Sequence, residues 1–213
     1  MSEQRTLASV VFDTKGKVTR RERFLRKMVA VIPWTTLHAL IPPHHTVAET
    51  GRRPLSLDTM LRVYYLQQWF DLSDPQAENI LYDSEAMRRF ARVKLGEDTV
   101  PDVSTILRFR HLLEQHQLTA AMFAAVKTLL TEKRLLLKAG TIIDATIIAA
   151  LSSTKNATHT RDPEMKQTRK GHQWHFGMKV HVGTDTRGPV QSLTKTDAAQ
   201  HNSTQLPQLL HGQ

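Results

Sequence analysis

Asp144 stands in Gly140-Thr-Ile-Ile-Asp-Ala-Thr-Ile-Ile-Ala149, a run that otherwise reads as a buried β-strand. Aspartate is depleted from strands, and a carboxylate among isoleucines is costly unless it is paired or holds a cation. Two-metal phosphoryl transfer uses such a group: two divalent ions about 4 Å apart activate the attacking oxygen and steady the leaving one. Mg2+ at such a site takes oxygen ligands, and two ions need more than one carboxylate. The other acids are poorly placed. Asp185 sits in a hairpin turn, and Asp197 follows the last strand, where a cap or loop bond explains it. Asp162 and Glu164 lie in a basic loop. Spacing alone leaves Asp144 open between a metal ligand and a strand carboxylate bonded to backbone donors or near an exposed end.

Gly171-His-Gln-Trp-His-Phe-Gly-Met-Lys-Val-His181 brings three histidines, His172, His175 and His181, into one stretch. They fall on both faces of a strand with no tight ligand spacing, so phosphate contact or packing suits them better than a transition metal. Trp174 stacks on a base or fills the core, and the core is the preferred reading. Upstream, helices over 73–117 could form a helix-turn-helix reader, with Arg88, Arg89, Arg92, Arg108, Arg110 and His111 as contacts. A helical bundle with a solvated basic face explains the same residues. There is no Gly-rich phosphate loop and no G-x-S-x-G elbow.

Two kinds of element must position these groups. Residues 1–18 read as a loose basic arm. A helix starts near Thr19 and is limited by Pro33; Pro42-Pro43-His44-His45 is a break. Ser56 or Asp58 caps a helix with Leu57, Leu61, Tyr64 and Trp69 on one side. Ser73-Asp74-Pro75 starts another, Ser84 a third, and Asp102 or Ser104 a fourth. Phe123, Val126 and Leu130 mark the last. From Ala139 the period changes, with strands expected at 140–150, 175–184 and 189–196. Thr184-Asp185-Thr186-Arg187-Gly188 joins the last two as a hairpin. The polar stretch 152–173 reads as a mobile loop, and 202–211 as a helix in which Pro207 needs the first turn or a kink. Alternation puts Asp144 with Ile142, Thr146 and Ile148 on one face of its strand. The expected division is an arm (1–18), a helical region (19–138) and a sheet region (139–213).

The 213 residues are 40% hydrophobic, enough for a packed core, and include no cysteine, which excludes disulfides, Cys-bound zinc and thiol catalysis. No apolar run approaches the ~20 residues of a membrane span, and no secretory signal opens the chain. The formal charge of +9 favours a polyanionic partner. It is clustered. Lys15, Lys17, Arg20, Arg21, Arg23, Arg26 and Lys27 oppose only Glu22. Lys155, Arg161, Lys166, Arg169, Lys170 and Lys179 oppose Asp162 and Glu164. Phosphate neutralisation is the simplest use for both clusters.

Several long motifs in order add a resemblance. Ile143-Asp-Ala-Thr-Ile-Ile148, Ser152-Ser-Thr-Lys-Asn156, Arg161-Asp-Pro-Glu-Met165 and Lys170-Gly-His-Gln-Trp-His-Phe-Gly-Met-Lys-Val-His181 resemble the bacterial insertion-sequence transposases of the group named after insertion sequence five. So do Gln67-Gln-Trp-Phe-Asp-Leu-Ser-Asp-Pro75, Leu81-Tyr-Asp-Ser84, Met87-Arg-Arg-Phe90 and Pro101-Asp-Val-Ser-Thr-Ile-Leu-Arg-Phe-Arg-His-Leu-Leu-Glu114. The resemblance runs from about residue 10 to the end. It implies an α+β or α/β chain, a helical DNA-binding region followed by an RNase H-like DDE domain. It also implies three acidic residues holding two Mg2+ or Mn2+ ions, and DNA nicking followed by strand transfer. The partners implied are double-stranded DNA (terminal inverted repeats and target) and further copies of the chain, at the nucleoid in the bacterial cytoplasm. Only the first acid carries over, as Asp144. The DDE domain is expected to be incomplete, with three strands, one helix and an uncovered apolar face, and inactive alone. A regulatory DNA-binding fragment or a non-functional remnant is the alternative. Arg20, Arg21, Arg88, Arg89, Arg108, Arg110, Lys155, Arg169, Lys170 and Lys179 are the expected DNA contacts.

Overall fold

The computed structural model describes residues 12–42, 55–136, 141–150, 160–186 and 188–210. The chain separates into two compact units, Met1–Val126 and Lys127–Gln213. The division falls inside a helix, ahead of the change of period at Ala139.

Side-chain caps set the helix starts of the first unit. Thr19 accepts from the Glu22 amide to open α1 (Arg20–Val31), and Pro33 precedes α2 (Trp34–Leu40). Ser56 accepts from the Thr59 amide at the head of α3 (Leu57–Phe70). Ser73 and Gln76 form a capping box on α4 (Asp74–Asp83), with Pro75 in the first turn, where a missing amide costs nothing. Ser84 precedes α5 (Glu85–Ala91), Asp102 accepts from the Thr105 amide to open α6 (Val103–Gln115), and α7 (Leu118–Glu132) follows.

Leu37, Ile41, Leu61, Leu66, Leu81, Met87, Ile106 and Leu113 are fully buried and form the core of this unit. Trp34, Tyr65, Trp69 and Phe90 pack beside it, largely edge to face. Arg62 runs under these rings, its guanidinium 4.2 Å from the Trp34 ring centre and its Nε 2.9 Å from an Asp58 oxygen. Arg62 is thus a packing residue. Residues 12–15 are not loose: Asp13 pairs with Arg89, and the Lys15 ammonium lies 2.7 Å from Glu22. Residues 1–11 of the expected arm, and His44 and His45, lie outside the described residues.

Asp74 ties three helices. It accepts from Gln67 Nε2 at 2.7 Å and from Arg110 Nη2 at 3.0 Å. Arg110 Nε is also 3.0 Å away, but outside hydrogen-bond geometry, so that contact is an ion pair only. Burial pushes the Asp74 carboxyl up; the bonds from Gln67 and Arg110 and the nearby cationic charge outweigh it and hold the group below its ordinary value. A carboxyl depressed in the folded state stabilises fully above its unfolded pKa. That stability is lost as pH falls through the folded value. Asp74→Asn is therefore expected to cost about 1–2 kcal/mol at neutral pH and to flatten the acid limb of a melting-temperature series. An acid limb as steep as wild type would remove Asp74 from this account.

The second unit is a four-stranded antiparallel sheet: β1 (Ile142–Ala149), β2 (Lys166–Lys170), β3 (Gln173–Thr184) and β4 (Val190–Asp197). β3 is central and pairs with all three others. The expectation of three strands and a loop over 152–173 is corrected by β2. β3 begins at Gln173 and extends beyond its pairing with β1 and β4, which leaves residues 173–176 with an unpaired edge. Gly171, at φ +62°, turns the chain back so that β2 pairs with that extension. Buried or half-buried backbone must find partners, and this hairpin supplies them.

A 3-10 turn (Asn202–Gln205) and a short α8 (Leu206–Leu209) follow, with Pro207 in the first turn. They pack on the face that carries Lys179, His181 and Gly183: Ser192 Oγ donates to the Leu209 carbonyl at 2.7 Å, and Leu209 is buried. The opposite face carries Ile142, Ile148 and Leu193, each more than half exposed.

Candidate functional site

Strand register sets the surroundings of Asp144. It sits opposite Val182 of β3, which in turn sits opposite Leu193 of β4. Ile142, Thr146 and Ile148 share its face, as alternation requires. Asp144 itself is exposed, and its Oδ1 accepts from the next amide, Ala145, at 2.7 Å. The expectation of a carboxylate desolvated among isoleucines is corrected here. The strand's apolar residues are real, but no described element covers this face, so water reaches the acid. Its retention in an apolar strand is not explained by any structural bond beyond that local one.

The remaining acids are used locally. Asp197 Oδ1 accepts from the Ala199 amide at 2.9 Å, and Lys166 lies 3.4 Å from its other oxygen. Burial opposes, but these partners and Gln200 outweigh it and hold Asp197 below the usual carboxylate range. Asp162 accepts from the Glu164 amide. Asp185 closes the β3–β4 turn through its backbone and is buried.

The histidines are not brought together. His172 is in the β2–β3 turn, His175 is half-buried, and His181 is wholly buried with Nε2 2.8 Å from Thr196 Oγ1. Burial first, and the charge of Lys179 second, push His181 down, against a hydrogen bond with Asn202. It packs as a neutral ring. Among the described residues no group of three or more His, Asp or Glu could hold a metal ion. Asp144 alone does not make a two-metal site.

The expected DNA contacts divide. Arg20, Arg108, Arg169 and Lys170 are exposed; Arg21 is exposed and lies over the Phe70 ring. Arg89 pairs with Glu85 and Asp13, and Arg110 with Asp74. The Lys179 ammonium donates to the Gln200 carbonyl at 2.6 Å. Arg88 is buried, its guanidinium held by the Leu81 and Tyr82 carbonyls and by Glu85, and it offers nothing to a phosphate in this conformation. Lys155 lies outside the described residues. Trp174, read as a core residue, is instead the most exposed large apolar side chain described, at 66%. The signal missed was Gly171, which makes 166–177 a hairpin and leaves its aromatic without a covering layer.

Comparison with known families now gives the class. Residues 12–112 match a family model described as a transposase domain (DUF772). Residues 136–212 match one described as a transposase DDE domain. Both descriptions are of transposase domains, and together they support a DDE transposase. No solved structure matches it. No helix among the described residues is long and apolar enough to cross a membrane.

Proposed function

We propose that the chain serves an insertion-sequence transposase of the insertion-sequence-five group, holding double-stranded DNA at the element's terminal inverted repeats and at the target. The observation that carries this reading is the presentation of Asp144 on an open sheet face within the stretch matched as a transposase DDE domain. The antiparallel sheet is read as RNase H-like, with Asp144 as the first acid. Magnesium or manganese ions would be cofactors of a complete site of three acids, to which Asp144 would contribute the first. Of the expected contacts, Arg20, Arg21, Arg108, Arg169 and Lys170 are exposed and are the ones proposed to meet phosphates. Work at the nucleoid, by several copies on paired ends, belongs to the same reading. The chain by itself binds DNA without cutting it, which also suits a regulator of the complete enzyme.

The test is retention of duplex DNA carrying the inverted repeats that flank the coding sequence. The purified chain is expected to prefer this duplex over a scrambled one. The logarithm of affinity should fall with the logarithm of salt, by about 0.9 per phosphate neutralised. Asp144→Asn should retain the same duplex equally well. Binding indifferent to salt, or equal for both duplexes, would defeat the reading. Nicking by wild type that vanishes in Asp144→Asn would defeat the assignment of binding without cleavage.

A further inference from the structure

Among the described residues, β2 pairs with β3 alone, and together they project a two-stranded ribbon. Its register puts Arg169 opposite Trp174 and Lys170 opposite Gln173, with Gly171 in the left-handed turn between them. From Lys166 to His175 there are three Lys or Arg residues, two His and no acid. Arg169 Nε donates to the Gly171 carbonyl at 3.1 Å, which holds the guanidinium near the turn, on the strand beside the indole. Phe176, next on the face of Trp174, is half-buried under the Arg161 guanidinium. Among the described residues Trp174 has no such cover.

A lone exposed apolar side chain needs no explanation. An indole on a narrow ribbon with Arg169 and Lys170 on the opposite strand, and no acid in the ribbon's own sequence, is a different combination. The cations repel a second copy of the same ribbon and any basic partner. They attract phosphate. The flat face of an indole is satisfied by a base only after that base has left its duplex stack, because paired bases show grooves only their edges. Stacking of this kind tolerates any base, since each has a π face.

We propose that the β2–β3 ribbon binds unpaired nucleotides of DNA, Trp174 stacking on a base while Arg169 and Lys170 hold the flanking phosphates. This rests on the DNA-binding reading above and extends it from duplex to unpaired strand. The site lies wholly within the second unit and uses neither Asp144 nor the helices.

The full chain is titrated, by fluorescence anisotropy, against a blunt duplex and the same duplex with a single-stranded thymidine tail. Wild type is expected to bind the tailed duplex about tenfold more tightly. Trp174→Ala should erase that gain and leave blunt-duplex binding unchanged; Trp174→Phe should keep part of it. Tryptophan emission should be quenched by the tail in wild type and not in Trp174→Phe, which reports contact even if the alanine variant is poorly behaved. Equal binding of both duplexes by wild type would overturn the ribbon site while leaving duplex binding standing. So would a tail preference that survives in Trp174→Ala, or self-association abolished by Trp174→Ala with DNA binding intact. Failure to bind either DNA would overturn the parent reading, and this site with it.

Discussion

Arg88→Ala is expected to destabilise the helical unit strongly rather than weaken a DNA contact. Leu81 and Tyr82 lie in the last turn of α4, where carbonyls have no partner inside the helix. Arg88 Nη1 donates to both, at 2.8 and 2.6 Å, and the rest of the guanidinium meets Glu85 at 2.9 Å. One side chain therefore closes α4 and joins it to α5. Its removal leaves the Leu81 and Tyr82 carbonyls without their donor and takes one of two arginines from Glu85, which keeps Arg89, a loss of about 2–4 kcal/mol. A domain's whole stability is about 5–15 kcal/mol. Arg88→Lys should recover only part of the loss, because one ammonium cannot reach all three acceptors in the geometry of a planar fork. Arg108→Ala, at an exposed position, is the comparison and should melt as wild type does. The readout is thermal melting followed by helical circular dichroism. Wild-type melting by Arg88→Ala, combined with weaker DNA retention, would return Arg88 to the DNA-facing set.

Arg88 also illustrates what was legible in the sequence. The helix starts at Thr19, Ser56, Ser73, Ser84 and Asp102 were readable because a cap is local. Where the cap bond forms, a short polar side chain bonds an amide two or three residues on, whatever the rest of the chain does. The position of Arg88 in a basic motif was equally visible, but not its burial. An arginine that reaches back to close the preceding helix has the same composition signature as one that faces solvent. Asp144 failed in the opposite direction. Its isoleucine neighbours announced a strand and its alternation announced the face, and both hold. Whether that face is covered depends on elements distant in sequence, which no local pattern reports. β2 was missed because Lys166-Gln-Thr-Arg-Lys170 has little β-propensity. Its strand state is imposed by the overhanging edge of β3 and the turn at Gly171.

Gly177→Val is expected to break the sheet where its segments converge. Gly177 pairs with Ala149 of β1 on one edge and Lys166 of β2 on the other, and its carbonyl accepts from the Ala198 amide. Its φ is +153°, and a Cβ added there would lie 2.1 Å from the Ile148 carbonyl oxygen and 3.1 Å from the Ala150 nitrogen. Both are backbone atoms, so no side chain can turn aside to make room. Either β1 lifts from β3 at that end, losing the 2.8 Å bond from the Ala150 amide to the Phe176 carbonyl, or the pairing slips. The cost is about 3 kcal/mol or more once the branched side chain is added. Gly171→Asn is the control, since that turn has open space and asparagine accepts a left-handed conformation. Amide exchange of Ile148 and Ala150 should accelerate in Gly177→Val and not in Gly171→Asn. A slip of one residue would move Asp144 to the opposite face of the sheet, the face packed by α8. Fraying would leave Asp144 opposite Val182. Exchange protection retained at Asp144 and Thr146 would identify fraying, and wild-type protection at Ile148 and Ala150 would show that the close approach at Gly177 does not limit the sheet.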